Sequence, residues 1–476
     1  MSTSAIPAAS EGEAGRGTAL VAALVFITLV LAVIASLGAP LITAVALDYG
    51  VSLTAAQWTL TITLLVGAVV TPLLGRIGSS GPRRSVVLVT LALVTAGSVA
   101  TAVPAPFAVL LVGRALQGAG LGLPVLMMAT ARDHLGDRAP GTIAMLSVAG
   151  TAGLGVGYPI SGLLVQAGGV RLAYLLGVVF AGAALVTAAV VLPSGDREAA
   201  ERVRVDWLGA TLLSLALVAV LLVTSQSGLW ISDPVVAAVV LAVGLALLCV
   251  WVFVERRVAR PLVDLTALRH PAVAGANLIM FVSGIGMYLL FTLITRYVQT
   301  PDQVGYGYGL SHVESGLVLV PFSLLGFVAG HLVPRLRDRV RPFALLVVGG
   351  MVIAAACVLF AVSRTGGVFW PVLVMAVLGF GVGGFSATMP QAILAITPAR
   401  ETAAAMSVNQ VVRAVSFSIG SAVSGLVLAG YTPVGRFLPA DAGYSAAAWV
   451  ATALALLTTA LAVVVGLANR PDASSA

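Results

Sequence analysis

The stretch Leu110–Leu121, LLVGRALQGAGL, places an arginine inside a long apolar run whose residues otherwise predict contact with lipid. Arg114 and Gln117, together with three glycines, are the only residues that interrupt the hydrocarbon pattern. A charged side chain near the centre of a bilayer costs about 3 kcal/mol on insertion scales, so it is normally retained for a function. Arg114 is therefore the first candidate for a functional residue in this chain.

The composition predicts an all-α integral membrane protein. The 476 residues are 59% hydrophobic and 9% charged, with a mean hydropathy of +1.08, whereas a soluble domain carries about 25% charged residues. Long apolar runs indicate helices, because a helix satisfies its own backbone hydrogen bonds in lipid. The short alternating segments that mark a transmembrane β-barrel do not occur in the sequence.

The residue inventory predicts no metal site, no cofactor and no enzyme activity. Cys249 and Cys357 both lie within apolar runs, and no metal-ligand spacing occurs. The predicted spans hold no cluster of His, Asp, Glu or Cys for a membrane-embedded active site. All 25 basic residues are arginine, so the phosphate-binding motif that needs a lysine is absent. We attribute the net charge of +7 to the loops and expect no nucleic-acid partner.

The hydropathy pattern predicts fourteen membrane-spanning helices in groups of six, two and six. The predicted spans lie near residues 19–47, 55–75, 85–103, 106–130, 142–166, 171–192, 207–226, 234–254, 271–297, 312–334, 342–362, 368–394, 402–430 and 445–468. The chain would then comprise a disordered cytoplasmic tail, an N-terminal six-helix half, two inserted helices with linkers, a C-terminal six-helix half and a second tail. These divisions correspond to residues 1–18, 19–192, 193–269, 270–468 and 469–476.

The distribution of arginines supports this count and predicts the orientation. With the N-terminus inside, the predicted cytoplasmic stretches carry 19 of the 25 arginines, the outer stretches carry four, and two lie within spans. Cytoplasmic loops of membrane proteins are enriched in basic residues. We therefore expect a multi-pass protein of the plasma membrane with both termini in the cytoplasm.

A set of glycines recurs in the two halves. The glycines of the fourth predicted span return in the twelfth, 261 residues later; these are Gly118, Gly120 and Gly122, and then Gly379, Gly381 and Gly383. Because six spans plus two restore the original direction, the halves would form a parallel repeat, which is an architecture of transporters with the substrate path between the halves. Met375 occupies the position equivalent to Arg114.

These motifs resemble the major facilitator superfamily, specifically its fourteen-helix drug:proton antiporter branch, over residues 19–468. The sequence Arg114-x-x-Gln117-Gly118-x-Gly120 resembles motif B of that family, and the glycine-rich fifth span resembles its antiporter motif C. The loop before the third predicted span departs from the family pattern. Ser79 follows where an aspartate is usual, although Arg83 and Arg84 are kept.

The resemblance implies a fold of two six-helix halves with two inserted helices. It implies export of an amphipathic small molecule, such as an antibiotic or secondary metabolite, by proton antiport and alternating access. Such multidrug efflux would confer antibiotic resistance. The partners would be the substrate, protons and the lipid bilayer, and we expect a monomer. The alternative is a facilitator or symporter of organic anions or metabolites, favoured by the arginines within the spans.

The resemblance links the arginine of motif B to proton coupling. A second interpretation is a structural arginine that caps carbonyl groups or bridges neighbouring helices. The candidates for coupling or gating are Arg114, Gln117, Asp48, Asp133, Glu314, Arg83 and Arg84, and His331 is a further proton carrier to consider. No carboxylate lies safely in the middle of a predicted span. We therefore expect neutral or anionic amphipathic substrates rather than permanent cations.

Polar residues on otherwise apolar helices are candidates for lining a substrate cavity, which requires that mixture. They are Gln57, Thr61, Tyr158, Asn277, Tyr288, Thr292, Ser323, Thr388, Gln391, Asn409 and Arg413. Small residues and proline indicate close packing or bending of helices. They are Gly118, Gly150, Gly153, Gly157, Pro159, Gly162, Gly326 and Gly330. We expect the glycine face of the fifth span to contact that of the tenth across the two halves.

Overall fold

The fold is known from a computed structural model, and it is all-helical in the part of the chain that the structure describes. The described residues are 11–38, 41–51, 53–80, 83–193, 206–225, 229, 233–258, 271–336, 339–394, 402–433 and 438–468. Among these residues, 12 helices are long and apolar enough to cross a membrane. An all-α membrane protein is therefore confirmed, while the count of fourteen spans is not.

The helices are numbered in chain order. They are α1 (Glu11–Ser36), α2 (Ile42–Tyr49), α3 (Leu53–Ser80), α4 (Arg83–Ala102), α5 (Phe107–Gly118), α6 (Leu123–His134), α7 (Ala139–Val191), α8 (Trp207–Ser225), α9 (Pro234–Glu255), α10 (Pro271–Gln299), α11 (His312–Leu336), α12 (Pro342–Ser363), α13 (Phe369–Leu394), α14 (Thr402–Gly430) and α15 (Asp441–Ala468). A 3-10 turn at Ala119–Gly122 joins α5 to α6. We refer to α1–α7 as the N-terminal half and to α10–α15 as the C-terminal half.

Helix α7 contains a sharp interruption between the fifth and sixth predicted spans. Gly168 and Gly169 leave the helical conformation, and Gly169 has φ 75° and ψ −172°. That conformation is accessible to glycine because it has no Cβ atom. The chain therefore changes direction at these residues, although the helix is continuous on both sides of them.

The recurring glycines make equivalent helix contacts in the two halves. Gly118 lies against α3, where an added Cβ would be 2.5 Å from the carbonyl oxygen of Thr63. Gly379 lies in the same way against Phe322 of α11. Gly120 approaches Val94 of α4, and Gly381 approaches α12. The sequence repeat is thus also a repeat of packing, because each glycine allows two backbones to approach closely.

The halves meet along two contacts. In the first, helix α7 packs against α11 and α13; in the second, α3 and α6 pack against α14. The hairpin formed by α8 and α9 covers the second contact, because Leu213, Leu217 and Trp251 belong to one apolar cluster with Leu65 of α3 and partly buried valines of α14. The inserted helices therefore contact both halves at a single seam.

Ion pairing identifies the two ends of the bundle. Arg83 at the start of α4 contacts Asp133 at the end of α6, and Arg84 donates a hydrogen bond to Ala189 near the end of α7. We call this end the basic side. The start of α7 and the end of α11 share it, because Gly330 contacts Val148.

The opposite side of the C-terminal half is tied together by one buried arginine. Arg364, 6% exposed, donates two hydrogen bonds to Asp441, at 3.1 Å from Nε and 2.5 Å from Nη2. Its Nη2 also contacts Ser445 at 2.6 Å. The hydroxyls of Tyr306 and Tyr308 donate to the carbonyl oxygens of Pro439 and Arg364. Burial raises the pKa of both tyrosines, so their hydroxyls remain donors at neutral pH.

We predict that Asp441→Asn lowers the melting temperature of the purified protein, because it removes the charged acceptor of a buried arginine. Hydrogen bonds to charged groups contribute about 1.5–3 kcal/mol. The exposed Asp302, on the same side, provides the control substitution Asp302→Asn. Equal melting temperatures for the two variants would show that the Arg364–Asp441 pair does not stabilise the fold.

Candidate transport site

Arg114 is completely buried and is surrounded by acceptor groups rather than by a carboxylate. Its Nε donates to the carbonyl oxygen of Thr59 at 3.0 Å, and its Nη1 donates to that of Ile34 at 3.2 Å. Nη1 also contacts Oε1 of Gln117 at 2.7 Å, and Nη2 contacts the carbonyl oxygen of Ala35 at 3.5 Å. The guanidinium therefore donates hydrogen bonds to three backbone carbonyl oxygens and one side-chain amide oxygen.

Two of these carbonyls belong to the end of α1. A helix leaves its last four carbonyls without an internal partner, and its C-terminus carries partial negative charge. Arg114 satisfies Ile34 and Ala35 just before the helix ends at Ser36. At Gly38 an added Cβ would lie 2.6 Å from Nη2, so a side chain at this position would displace the guanidinium. This is the capping geometry of the second interpretation of Arg114.

Gln117 extends the contacts of Arg114 to a further helix. Its Nε2 donates to the hydroxyl of Ser98 at 3.0 Å and lies 3.4 Å from that of Thr101, both on α4. The hydroxyl of Thr63 on α3 donates to the carbonyl oxygen of Arg114 at 3.0 Å. One hydrogen-bonded network thus joins α1, α3, α4 and α5 in the N-terminal half.

The side chain of Arg413, unlike that of Arg114, has no hydrogen-bond partner among the described residues. It lies eleven residues into the 29-residue helix α14, about 16 Å from its start at 1.5 Å per residue. Its side chain is partly exposed, and the described residues offer it no hydrogen-bond or ion-pair partner. Helices α3, α10 and α14 contain no aspartate or glutamate. Arg413 is therefore a cation at mid-membrane depth without a counterion from these helices.

Polar and aromatic groups flank Arg413 along the contact between α14 and α10. One turn towards the basic side, Nδ2 of Asn409 donates to Oδ1 of Asn277 at 3.3 Å. One turn in the other direction, the ring of Phe417 stacks on that of Tyr288, with centroids 5.1 Å apart. The environment of the arginine thus combines amide groups with an aromatic surface.

The remaining cavity candidates are dispersed over both halves. Thr292 and Thr388 donate to carbonyls of their own helices. Ser323 and Gln391 are buried, and Oγ of the former and Nε2 of the latter have no hydrogen-bond partner among the described residues. Thr61 is buried on α3. The side chains of Gln57 and Tyr158 lie outside the described part of the structure.

The acidic candidates lie at helix ends. Asp133 forms a 2.7 Å ion pair with Arg83, whose Nε also donates to the carbonyl oxygen of Gly78 at 3.0 Å. Glu314 accepts a hydrogen bond from the backbone of Ser311 at 2.9 Å and thereby caps α11. Asp48 is exposed on α2. Of the three acids, only Asp133 has an ion-pair partner in the described structure.

The expected contact between the glycine faces of α7 and α11 is largely wrong. Gly153 and Gly157 lie against α1, at Ala32 and Ser36, within the N-terminal half. Gly326 lies against Gly379 of α13, within the C-terminal half. A glycine face allows close approach by any neighbouring helix. For these three glycines the neighbouring helix belongs to the same half.

The other packing candidates divide between cross-half contacts and open space. Gly330 and Gly162 do cross between the halves, since an added Cβ would meet Val148 at the former and would lie 3.2 Å from Val313 at the latter. An added Cβ at Gly150 would meet no atom within 4 Å. Pro159 lies inside α7.

Comparison with known proteins identifies the family to which the chain belongs. Residues 24–421 match the Major Facilitator Superfamily. The chain belongs to the Major Facilitator Superfamily. It is 30% identical to the puromycin resistance protein pur8 of Streptomyces alboniger, over 88% of this chain and 83% of that protein. It is 29% identical to the multidrug resistance protein B homolog of Mycobacterium tuberculosis (strain ATCC 25618 / H37Rv), over 80% of this chain and 70% of that protein.

Two solved structures of transporters have a similar fold. The human organic anion transporter MFSD10 (TETRAN) aligns with a TM-score of 0.64 and 15% identity, over 94% of this chain and 99% of that chain. A mutant of the peptide transporter POT aligns with a TM-score of 0.58 and 17% identity, over 93% of this chain and 94% of that chain. At these identities the likeness concerns the fold. By its match to the Major Facilitator Superfamily and its relatives, the chain is a membrane transporter and not an enzyme.

The partners of Arg114 could not be identified from the sequence. Thr59, Ile34 and Ala35 contribute backbone carbonyls, which every residue has, so no side-chain pattern marks them. Ser98 could have been found, because a hydroxyl facing Gln117 from the preceding span is a polar group in an apolar helix. Phe417 gave no signal, because an aromatic residue is ordinary in a membrane helix.

We predict that Arg114→Gln lowers the melting temperature strongly, since it leaves the end of α1 without its donor. Leaving a buried carbonyl group without its hydrogen bond costs about 1–3 kcal/mol. The matched change Arg413→Gln should leave the melting temperature unchanged or raise it, because no protein group is deprived of a partner. Thermal unfolding of the two variants in the same detergent tests this. A larger loss for Arg413→Gln would contradict the assignment.

Proposed function

We propose that the protein exports amphipathic small molecules across the plasma membrane by proton antiport and alternating access, acting as a monomer. The observation that carries this proposal is the contact of two equivalent halves along α7 and α3, which gives an axis for alternating access. The relatives named for resistance to puromycin and to multiple drugs support export of toxic compounds. An exporter needs no site for bond chemistry, which accords with the residue inventory.

We further propose fourteen membrane crossings with both termini in the cytoplasm. Two features support more crossings than the twelve long helices. The interruption at Gly168 and Gly169 divides α7 into two apolar segments. Helix α8, Trp207–Ser225, has 19 residues, close to the roughly 20 needed to span a bilayer. The arginines then lie mainly on the cytoplasmic side, so the basic side corresponds to the cytoplasm.

We predict that a cysteine at Asp233, the exposed residue before α9, is labelled by a membrane-impermeant maleimide in intact cells. A cysteine at the exposed Asp137, on the basic side, should be labelled only after permeabilisation. Both variants are made with Cys249→Ser and Cys357→Ser. Labelling of position 233 only from the cytoplasm would refute the proposed path of α8 and α9.

For the coupling site we propose the ion pair of Asp133 and Arg83. Protonation of Asp133 removes its charge, and therefore weakens the contact between the end of α6 and the start of α4 at the basic side. Among Asp48, Asp133 and Glu314, only Asp133 pairs in the described structure with Arg83, itself a candidate for coupling or gating. Its partly exposed side chain is accessible to protons from the adjoining solution.

In inverted vesicles with an acidic interior, we expect addition of a neutral amphipathic antibiotic such as chloramphenicol to dissipate part of the proton gradient, followed with a pH-sensitive dye. Asp133→Asn should abolish this response, because the amide side chain cannot take up and release a proton as a carboxylate does. Asp137→Asn, at a neighbouring exposed acid, serves as the control. If an imposed gradient never drives uptake of any compound tested, the antiport proposal fails.

A second candidate function is a facilitator of organic anions. Arg413 without a counterion favours it, as does the lack of carboxylates in the middle of α3, α10 and α14. A facilitator moves its substrate without a proton, so flux would persist after the gradient is collapsed with a protonophore. The vesicle assay therefore separates the two candidates.

A further inference from the structure

The surroundings of Arg413 indicate the chemical class of the substrate. This inference rests on the proposed export of small molecules. We propose that its guanidinium binds the carboxylate of an amphipathic organic acid, whose apolar part lies on the neighbouring aromatic surface. An unpaired charge at this depth costs about 3 kcal/mol on insertion scales, and arginines within membranes normally have a partner.

The protein supplies partners for Arg114 and Arg364, the two arginines that are buried in the described structure. Arg114 donates to three carbonyls and an amide oxygen. Arg364 is held by Asp441, Ser445 and a carbonyl. Arg413 has neither type of arrangement among the described residues. Its five N–H donors therefore remain available to a ligand, and the planar guanidinium matches a carboxylate in a bidentate geometry.

The pseudo-symmetry of the halves places Arg413 at a position whose counterpart, Gly150, faces open space. Arg413 lies seven residues before Gly420, which contacts Ile285 of α10, the first helix of its half. Gly150 lies seven residues before Gly157, which contacts α1, the first helix of the other half. A Cβ added at Gly150 would meet nothing within 4 Å. In the C-terminal half, the equivalent position carries the arginine.

The neighbouring groups fit an amphipathic acid. Phe417 lies one turn from Arg413 on the same face and stacks on Tyr288 at 5.1 Å. The stack continues to Phe291, whose ring centroid lies 5.8 Å from that of Tyr288. On the other side, Asn409 and Asn277 provide amide groups. A ligand with an aromatic body and one carboxylate would contact both kinds of surface.

A second arginine, Arg296, is an alternative binding site for the carboxylate, and the experiment must distinguish it from Arg413. Arg296, near the end of α10, borders a cavity of about 360 Å³ that also includes Gln299, Thr432 and Tyr444. Arg296 is exposed, so water already solvates its charge and no ligand is required for that purpose. A bound anion would therefore stabilise the charge of Arg413 more than that of Arg296.

The experiment compares a matched pair of probes, 4-phenylbutyrate and its uncharged amide, 4-phenylbutyramide. Binding of radiolabelled probes to purified protein in nanodiscs of neutral phosphatidylcholine needs no proton gradient. We expect the acid to bind more tightly than the amide. Arg413→Gln should weaken binding of the acid by about tenfold or more, as for loss of a hydrogen bond to a charged group, and should leave the amide within about twofold. Arg413→Lys should give an intermediate affinity, because it keeps the charge and loses the fork of donors.

The controls are Arg171→Gln, at an exposed arginine, and Arg296→Gln. Neither should change the preference for the acid. Equal binding of acid and amide by the wild type, binding of neither, or loss of acid binding in Arg296→Gln but not in Arg413→Gln overturns the proposal. Charge-selective binding through Arg413 without gradient-driven flux would support this inference while refuting the proposed antiport.

Discussion

The donation of hydrogen bonds by Arg114 to the end of α1 is the interaction on which the N-terminal half depends. Within a bilayer no water is available to backbone groups, so a helix that ends inside the bundle must find other donors for its last carbonyls. The guanidinium supplies these donors and is stabilised by the partial negative charge of the helix end. Gln117 accepts a hydrogen bond from Arg114 and donates one to Ser98 of α4, so one hydrogen-bonded network joins four helices.

The two halves share the same helix packing but differ in the positions of their intramembrane arginines. The recurring glycines set equivalent distances between helices in each half, and Met375 fills with a buried apolar side chain the position that Arg114 occupies. In turn, Arg413 occupies a position that is glycine in the other half. Each half thus carries one cation at a site where its counterpart carries none. The charge of Arg114 is used within the protein, whereas that of Arg413 is left for a ligand.

The sequence predicted the features that have a side-chain signature. Apolar length predicted the helices, the glycine repeat predicted equivalent packing, and the depth of Arg114 predicted burial. Backbone partners have no such signature, which is why the contacts with Ile34 and Ala35 could not be anticipated. A glycine face predicts close approach but not its partner, so the assignment of Gly153 and Gly157 to the cross-half contact was wrong. Ser311-x-x-Glu314 is a capping-box pattern, and its structural role could have been recognised from the spacing.

The position of the ionisable groups constrains how transport can be driven. With a cation at mid-membrane depth and no carboxylate in the helices around it, the path favours an anion over a cation, since like charges repel strongly at low dielectric. An anion leaving a cell with an inside-negative potential gains about 2.3 kcal/mol per 100 mV. Export of such a substrate therefore needs less energy from protons than export of a cation does. A coupling acid at the surface, such as Asp133, is compatible with this smaller requirement, because the proton need not meet the substrate in the path.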